Sequence, residues 1–224
     1  MKQQGEWKVT DQESDQRVLD FTNKHSIGDD SWQNHFVTYL LPFCTKSRTC
    51  IDIGASYGLV SAALANHFDQ VHSFEIVSSV RECLKENLKG VSNVKVYDTG
   101  LSNTDKIVRL NIADDITGSS MIYTGWDIPN TTNTLVDVQV QCLDHFEFDS
   151  VDLIKIDVEG HEHDVLQGAR KTIKQHWPLL VVEMWTYRNK VSDVNRRRTI
   201  DFLNSLGYEI ADVRQHDFVF VKRH

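Results

Sequence analysis

Residues 49–61, TCIDIGASYGLVS, constrain the fold more than any other stretch, because an apolar run meets an acid and two glycines and then passes straight into helix-forming residues. A strand that turns this tightly into a helix is the first crossover of a nucleotide-binding α/β fold. The dinucleotide fingerprint G-x-G-x-x-G needs a middle glycine, so that a pyrophosphate can approach the backbone at the helix start. Here that position is Ser56, and the glycines fall at Gly54 and Gly58. Asp52, two residues before the first glycine, would repel a pyrophosphate but attract an ammonium or sulfonium group. The turn therefore suits a cationic ligand, with an ordinary strand-to-helix turn around a structural Asp as the alternative.

With 224 residues and 40% hydrophobic content, the chain can build one full α/β domain but is short for two. Its net charge of -8 argues against wrapping a polyanion, since nucleic-acid affinity rests on Lys and Arg neutralising phosphates. No apolar run approaches the roughly 20 residues of a membrane span, and the first residues, MKQQGEWKVTDQESDQ, lack the apolar core of a signal peptide. A cytoplasmic protein with no membrane or nucleic-acid partner is expected. Cys44, Cys50, Cys83 and Cys142 form no C-x-x-C pair and read as reduced thiols, with Cys50 and Cys83 at core positions.

The pattern predicts an N-terminal arm and helix over residues 1–45 and one domain over 46–224. Residues 1–30 are weakly patterned and fit a frayed arm or a lid helix equally. Trp32, Phe36, Tyr39, Leu40 and Phe43 recur at helical spacing, with Asp30 or Ser31 as a cap and Pro42 at the end. The first strand is expected at 49–53 and its helix at about 57–68. A second strand, VHSFE, ends at Glu75, roughly 20 positions after Gly54, where an acid accepts hydrogen bonds from ribose hydroxyls. Ser79 and Glu82 are spaced as a capping box for the next helix, and Gly90 is a stop. The third strand, VKVY, leads to DTGLSN, where Leu101 is placed to contact an adenine.

Between about 103 and 144 the βα rhythm breaks. KIVRLNI and VDVQVQCLD alternate apolar and polar residues and read as an inserted pair of half-buried strands, joined by a long loop with Trp126 that suits a binding loop or lid. The fourth strand, VDLIKID, ends at Asp157, the fifth, in PLLVVEMW, ends at Glu183, and YEIADV and DFVFVK are close enough to pair as an antiparallel hairpin.

S-adenosylmethionine (SAM) is the common adenosine cofactor with a positive charge, and D-x-G-A-x-x-G after a strand resembles the first motif of SAM-dependent methyltransferases. KIDVEGHEHDVLQGA at 155–169 resembles the K-I-D-V-E-G-x-E-x-x-V-L-x-G-A block of the FkbM-type methyltransferases. IDIGASYG, FEI, GLSNTDKIVRL and VQCLD are similar to further segments of that family, so the resemblance covers roughly 49–185. Ile76 stands where the family has proline, and Ser56 and Tyr57 where it often has Asn and Ile. The resemblance implies a Rossmann-like class I methyltransferase fold: a seven-stranded, mostly parallel sheet in order 3-2-1-4-5-7-6, with a C-terminal antiparallel hairpin. It also implies SAM as cofactor, S-adenosylhomocysteine (SAH) as product, and transfer to a hydroxyl of a small molecule, sugar or glycan. The residues expected to hold the cofactor are Asp52, Gly54, Ala55, Ser56, Tyr57, Gly58, Glu75, Ile76, Leu101 and Asp157.

Methyl transfer from a sulfonium is an in-line displacement, so the protein must mainly hold an acceptor oxygen near the methyl and take its proton. Asp157, at the end of a central strand, is best placed for that, with Glu159 and His161 as further catalytic candidates. Glu162 equally suits the first turn of a helix. Lys155, on a central strand, needs a carboxylate partner, which Glu183 could supply. Asp157, Glu159, Glu183 and one His are donors of the kind magnesium or manganese takes, but no compact spacing appears, so no metal ligand is assigned. Trp185, Tyr187, Arg188 and Lys190 fit either an acceptor pocket or a solvated face.

The chain has D-V-E-G where enzymes acting on exocyclic base nitrogens carry an N/D-P-P-Y loop, and it has no Pro-Cys nucleophile. A nicotinamide oxidoreductase of the same fold class, disfavoured by Ser56 and Asp52, and a SAM-binding module without catalysis are the alternatives.

Overall fold

The computed structural model describes residues 2–4, 7–9, 32–113, 121–122, 133–185 and 190–223. Most of the N-terminal arm, the loop around Trp126, and Tyr187 and Arg188 lie outside the described residues. The strands are β1 (Lys2–Gln4), β2 (Trp7–Val9), β3 (Thr49–Ile53), β4 (Gln70–Phe74), β5 (Val94–Tyr97), β6 (Gly100–Leu101), β7 (Lys106–Ala113), β8 (Met121–Ile122), β9 (Asn133–Gln141), β10 (Leu153–Ile156), β11 (Leu179–Glu183), β12 (Tyr208–Arg214) and β13 (Asp217–Lys222). The helices are α1 (Trp32–Leu40), α2 (Leu59–Ala65), α3 (Ser78–Asn87), α4 (Glu162–Gly168), α5 (Arg170–His176) and α6 (Lys190–Leu206).

The central sheet has seven strands in the order β12-β13-β11-β10-β3-β4-β5. β3 pairs in parallel with both β4 and β10, whereas β13 runs antiparallel to β11 and to β12. The chain thus builds outward from β3 on one side, returns, and builds outward on the other. A crevice opens at such a switch point, beyond the carboxyl ends of β3 and β10.

All five residues of β3 are buried, the signature of a parallel strand covered on both faces. Strand alternation divides them. Ile51 and Ile53 join Ile154, Ile156, Leu180 and Val182 in a core that α4 to α6 close with Val165, Leu166, Ile173 and Leu203. Cys50 joins Leu153, Val181 and Val219 on the opposite face, against Phe36, Val37 and Leu40 of α1 and Leu64 of α2.

The inserted pair is present as β7 and β9, antiparallel and half-buried: Val108, Leu110 and Val140 are buried while Ile107 is 69% exposed. It is larger than a pair, because β6 and β8 extend it to a four-stranded sheet in the order β6-β9-β7-β8. β6 carries Gly100 and Leu101 to the edge of the crevice.

Three local expectations are corrected. α2 starts at Leu59 rather than near 57, because Ser56 and Gly58 adopt positive φ (51° and 91°) and the turn is not helical until they are passed. The Ser79–Glu82 capping box does not form. The cap is Val77, in extended geometry, so Ser79 lies inside the first turn, and Glu82 pairs with Lys85 instead. α3 also ends at Asn87, ahead of Gly90.

The described part of the N-terminal arm is neither frayed nor helical. β1 and β2 form an antiparallel hairpin, and Asn87 on α3 accepts from the Lys8 N–H (2.6 Å) and donates to the carbonyls of Lys8 and Tyr57 (both 3.0 Å). Val9 packs on Tyr57 and Cys83. Among the described residues no helix is long and apolar enough to cross a membrane.

Candidate functional site

A cleft of about 240 Å³ lies at the carboxyl ends of β3, β4, β10 and β11 and is closed on one side by β6, Leu110 and Val140. Gly54, Ser56, Glu75, Ile76, Leu101, Asp157, Glu159 and His161, all expected from sequence, line it. Asp52, Ala55, Tyr57 and Gly58 do not. Ala55 packs against Leu84 and Leu88, Tyr57 against Val9 and Cys83, and Gly58 caps α2, so these three shape the turn from behind.

The position of Asp52 corrects the reading of its charge. Its side chain is fully buried on the α2 face of the sheet, where Oδ2 accepts from the Ser61 hydroxyl (2.6 Å) and Oδ1 faces the Lys155 ammonium at 3.5 Å. A carboxylate neutralised there has no free field to aim at a ligand. The alternation of β3 puts Asp52 on the same face as Gly54, one step deeper in the sheet.

Gly54 adopts φ +79°, and a Cβ there would collide with the Asp157 carbonyl oxygen, so β3 and β10 approach too closely at the crevice for any side chain. Glu75 is 7% exposed. Its Oε2 accepts from the Ser56 N–H (2.9 Å) and its Oε1 from the N–H of Val77, the cap residue of α3 (2.8 Å), so it ties the turn after β3 to the start of α3 and also forms a wall of the cleft. Burial raises its pKa, and those two N–H groups oppose the rise. Arg81 donates to the carbonyls of Glu75 (2.9 Å) and Ile76 (3.1 Å), stiffening the segment in which Ile76 stands.

At the other end three carboxylates meet. The parallel register pairs Ile156 with Val182, which brings Asp157 beside Glu183, and the antiparallel register pairs Glu183 with Asp217. Glu159, at φ +53°, completes the group, so that Asp157, Glu159 and Glu183 bring oxygens within 4.8 Å of one another. Linear spacing shows no such compact set; strand register makes it. It is close enough for one hard cation to bridge.

Burial, then the charges of Asp157 and Glu159, push the Glu183 pKa up to about 9, so it keeps its proton at neutral pH and hydrogen-bonds Asp157. Burial also raises Asp217 to about 6. Lys155, 6% exposed, reaches Asp157 Oδ2 at 3.2 Å and Asp52 Oδ1 at 3.5 Å. Its partners are these two rather than Glu183, and despite burial the two aspartates hold its pKa above the ordinary lysine value.

His161 places Nε2 2.9 Å from the Ser102 hydroxyl and Nδ1 3.4 Å from Asp164. Burial lowers its pKa, with Asp164 opposing, so it is neutral at pH 7 with both ring nitrogens engaged. Glu183 is the cleft residue that sequence reasoning placed in another role. The available signal was its place at the end of the strand next to Asp157. Trp185 donates from Nε1 to Glu183 (3.2 Å) and stacks on His216 at 4.2 Å, beside the acidic end.

Residues 52–210 match the Methyltransferase FkbM domain. Methyltransferase 1 of Beauveria bassiana (strain ARSEF 2860) is 26% identical over 188 residues, 72% of each protein. The crystal structure of methyltransferase FkbM from Methylobacillus flagellatus KT superposes with a TM-score of 0.55 at 20% identity, covering 78% of this chain and 43% of that one, so the match spans less than half of that protein. A Streptococcus mutans structure in complex with SAH superposes with a TM-score of 0.50 at 10% identity, over 83% and 94% of the two chains. At these identities the superpositions show a shared fold.

Proposed function

The chain belongs to the FkbM methyltransferase family, and from that premise we propose that it moves a methyl group from SAM to a hydroxyl oxygen of a small molecule, sugar or glycan. The fold is that of Rossmann-like class I methyltransferases. The observation that carries the reading is the charge of the cleft. It has Glu75 at one end and Asp157, Glu159 and Glu183 at the other, and neither Lys nor Arg among the described residues that line it. A site of this kind favours a cation and disfavours the pyrophosphate of a nicotinamide dinucleotide. The preference first assigned to Asp52 thus belongs to the ends of β10 and β11.

The residues present fit SAM. Glu75 retains acceptor capacity for ribose hydroxyls, because each oxygen has so far taken one hydrogen bond. Ile76, Val77, Val80 and Leu101 offer an apolar slot for adenine, and the acids suit the methionine end. When bound, SAM supplies a methyl group on a positively charged sulfur. Asp157 is the group to take the acceptor hydroxyl's proton, and the protonated Glu183 beside it limits how much negative charge the end of the cleft presents. That restraint keeps the site from holding the charged ground state too tightly. Lys155 fixes Asp157 from beneath.

Calorimetry with SAM, SAH and NAD tests the cofactor, and SAM binding without NAD binding is expected. Tight NAD binding alone would sink the reading. Transfer of labelled methyl to a panel of hydroxylated acceptors, compared between the unmodified protein and Asp157→Ala, tests the base. Unchanged transfer by the variant removes Asp157 from the chemistry but leaves the cofactor.

A further inference from the structure

The Gly160 peptide is gripped from both sides. Its N–H donates to Glu162 Oε1 at 2.7 Å, and its carbonyl accepts from Asn195 Nδ2 at 2.8 Å. The same Asn195 nitrogen also donates to Glu162 Oε2 at 3.1 Å, which closes a ring of three bonds between the loop after β10 and α6. Glu162 is 4% exposed, a costly place for a carboxyl that only begins a helix. Burial pushes its pKa up to about 7, while the N–H groups of Gly160, Val158 and Glu162 itself work against that rise. The carboxyl is therefore wrapped by its own loop.

The held loop carries two successive left-handed residues, Glu159 at φ +53° and Gly160 at φ +101°. Glycine adopts this region freely, but a glutamate relaxes out of it unless its surroundings prevent that. Relaxation is favoured further by repulsion from Asp157, whose carboxylate lies within 4.8 Å of that of Glu159, the protonated Glu183 beside them adding no charge of its own. We propose that Glu162 and Asn195 are positioning residues that hold Glu159 in its left-handed conformation, so that its carboxylate stays beside Asp157 and faces the charged end of the cofactor. The inference rests on the SAM reading and deepens it. The preference of the cleft for sulfonium over thioether depends on α6, through a side chain that does not line the cleft.

Two measurements on the full chain test it. The first is the ratio of SAH to SAM dissociation constants, by calorimetry. Glu159→Gln should reduce the preference for SAM about five- to tenfold, the effect of one nearby carboxylate in a partly solvated site. Asn195→Ala and Glu162→Ala should reproduce that loss, and Asn195→Ala combined with Glu159→Gln should add nothing to it. Glu162→Gln, which keeps an acceptor for the Gly160 N–H, should retain most of the preference. The second is the crystal structure of Asn195→Ala, with Glu159 expected at negative φ and its carboxylate withdrawn. An unchanged ratio, or a crystal structure with Glu159 still in place, overturns the proposal. If Asn195→Ala does not fold, Asn195→Ser carries both measurements. If the unmodified protein binds neither SAM nor SAH, the cofactor reading fails, and the conformation of Glu159 in the variant crystal alone decides the clamp.

Discussion

The Lys155 ammonium lies 3.2 Å from Asp157 Oδ2, and its other neighbour, Asp52, is fully buried, so one cation beneath the cleft serves two acids at different depths. Removing one member of a buried ion pair leaves uncompensated charge, which typically costs about 3–5 kcal/mol. Lys155→Met should destabilise the fold by an amount in that range, read from the urea midpoint at pH 7. Adding Asp52→Asn should recover part of the loss, since only Asp157, at the edge of the cleft, then remains charged. A double variant no more stable than Lys155→Met would show that Asp52 does not depend on the lysine.

The pH dependence of stability should carry the mark of Glu183. Its pKa is about 9 in the folded protein against 4.5 for an ordinary glutamate, so the folded state binds the extra proton and stability is lost as pH rises through that window. Asp217, at about 6, acts in the same direction but has largely titrated by pH 7, and Glu162, at about 7, is half titrated there and adds only about 0.4 kcal/mol above it. The histidines with lowered values, among them His72 and His161, act below pH 6.5. Between pH 7 and 9 the unmodified protein should therefore lose roughly 2–3 kcal/mol, from one proton at about 1.4 kcal/mol per pH unit. Glu183→Gln should flatten that limb in urea denaturation series.

Gly54 is the point at which backbone geometry alone guards the cleft. Gly54→Ala forces a residue with a Cβ to φ +79° and drives it into the Asp157 carbonyl oxygen. Left-handed strain of about 1–2 kcal/mol and overpacking of about 1–3 kcal/mol add, because the obstacle is backbone of a central strand rather than a movable side chain. A fall in thermal midpoint together with loss of SAM binding in calorimetry is expected. The same substitution at Gly90, which has open space around it, should change neither.

What the sequence made legible follows the range over which each signal acts. The ends of β3, β5 and β13 were readable to the residue, because apolar runs bounded by turn residues are a local pattern. Glu75 and Asp157 were readable because strand ends in this topology converge on one crevice. The capping box was misread because local spacing does not say which residue leaves the helix: it is Val77, two positions ahead of Ser79, and the Val77 N–H is taken by Glu75 from the preceding loop. The partners of Lys155 were misassigned, and the compactness of the acidic cluster went unseen, for a different reason. Both depend on the lateral register of β3, β10 and β11, which no linear spacing contains. The clamp on Glu159 was least visible of all, since Asn195 lies 33 residues beyond Glu162 and nothing in its own helix marks it.

Glu75 and Asp157 stand at opposite ends of the cleft and should respond differently to the charge of the cofactor. The ribose is common to SAM and SAH, so Glu75→Ala should weaken both by a similar factor. The factor should be about 10- to 100-fold, as expected for losing hydrogen bonds to a charged group. Part of that loss is structural, because Glu75 also accepts the Ser56 and Val77 N–H groups, and Glu75→Gln, which keeps one acceptor oxygen, should recover some of it. Asp157→Asn leaves the ribose end intact and removes one negative charge beside the methionine end. It should weaken SAM about fivefold or more while leaving SAH nearly unchanged. Calorimetry with both ligands on both variants checks the assignment. Equal losses for SAM and SAH in Asp157→Asn would mean that the acidic end shapes the cleft without sensing the sulfonium, and the charge preference would then have to come from Glu159 alone.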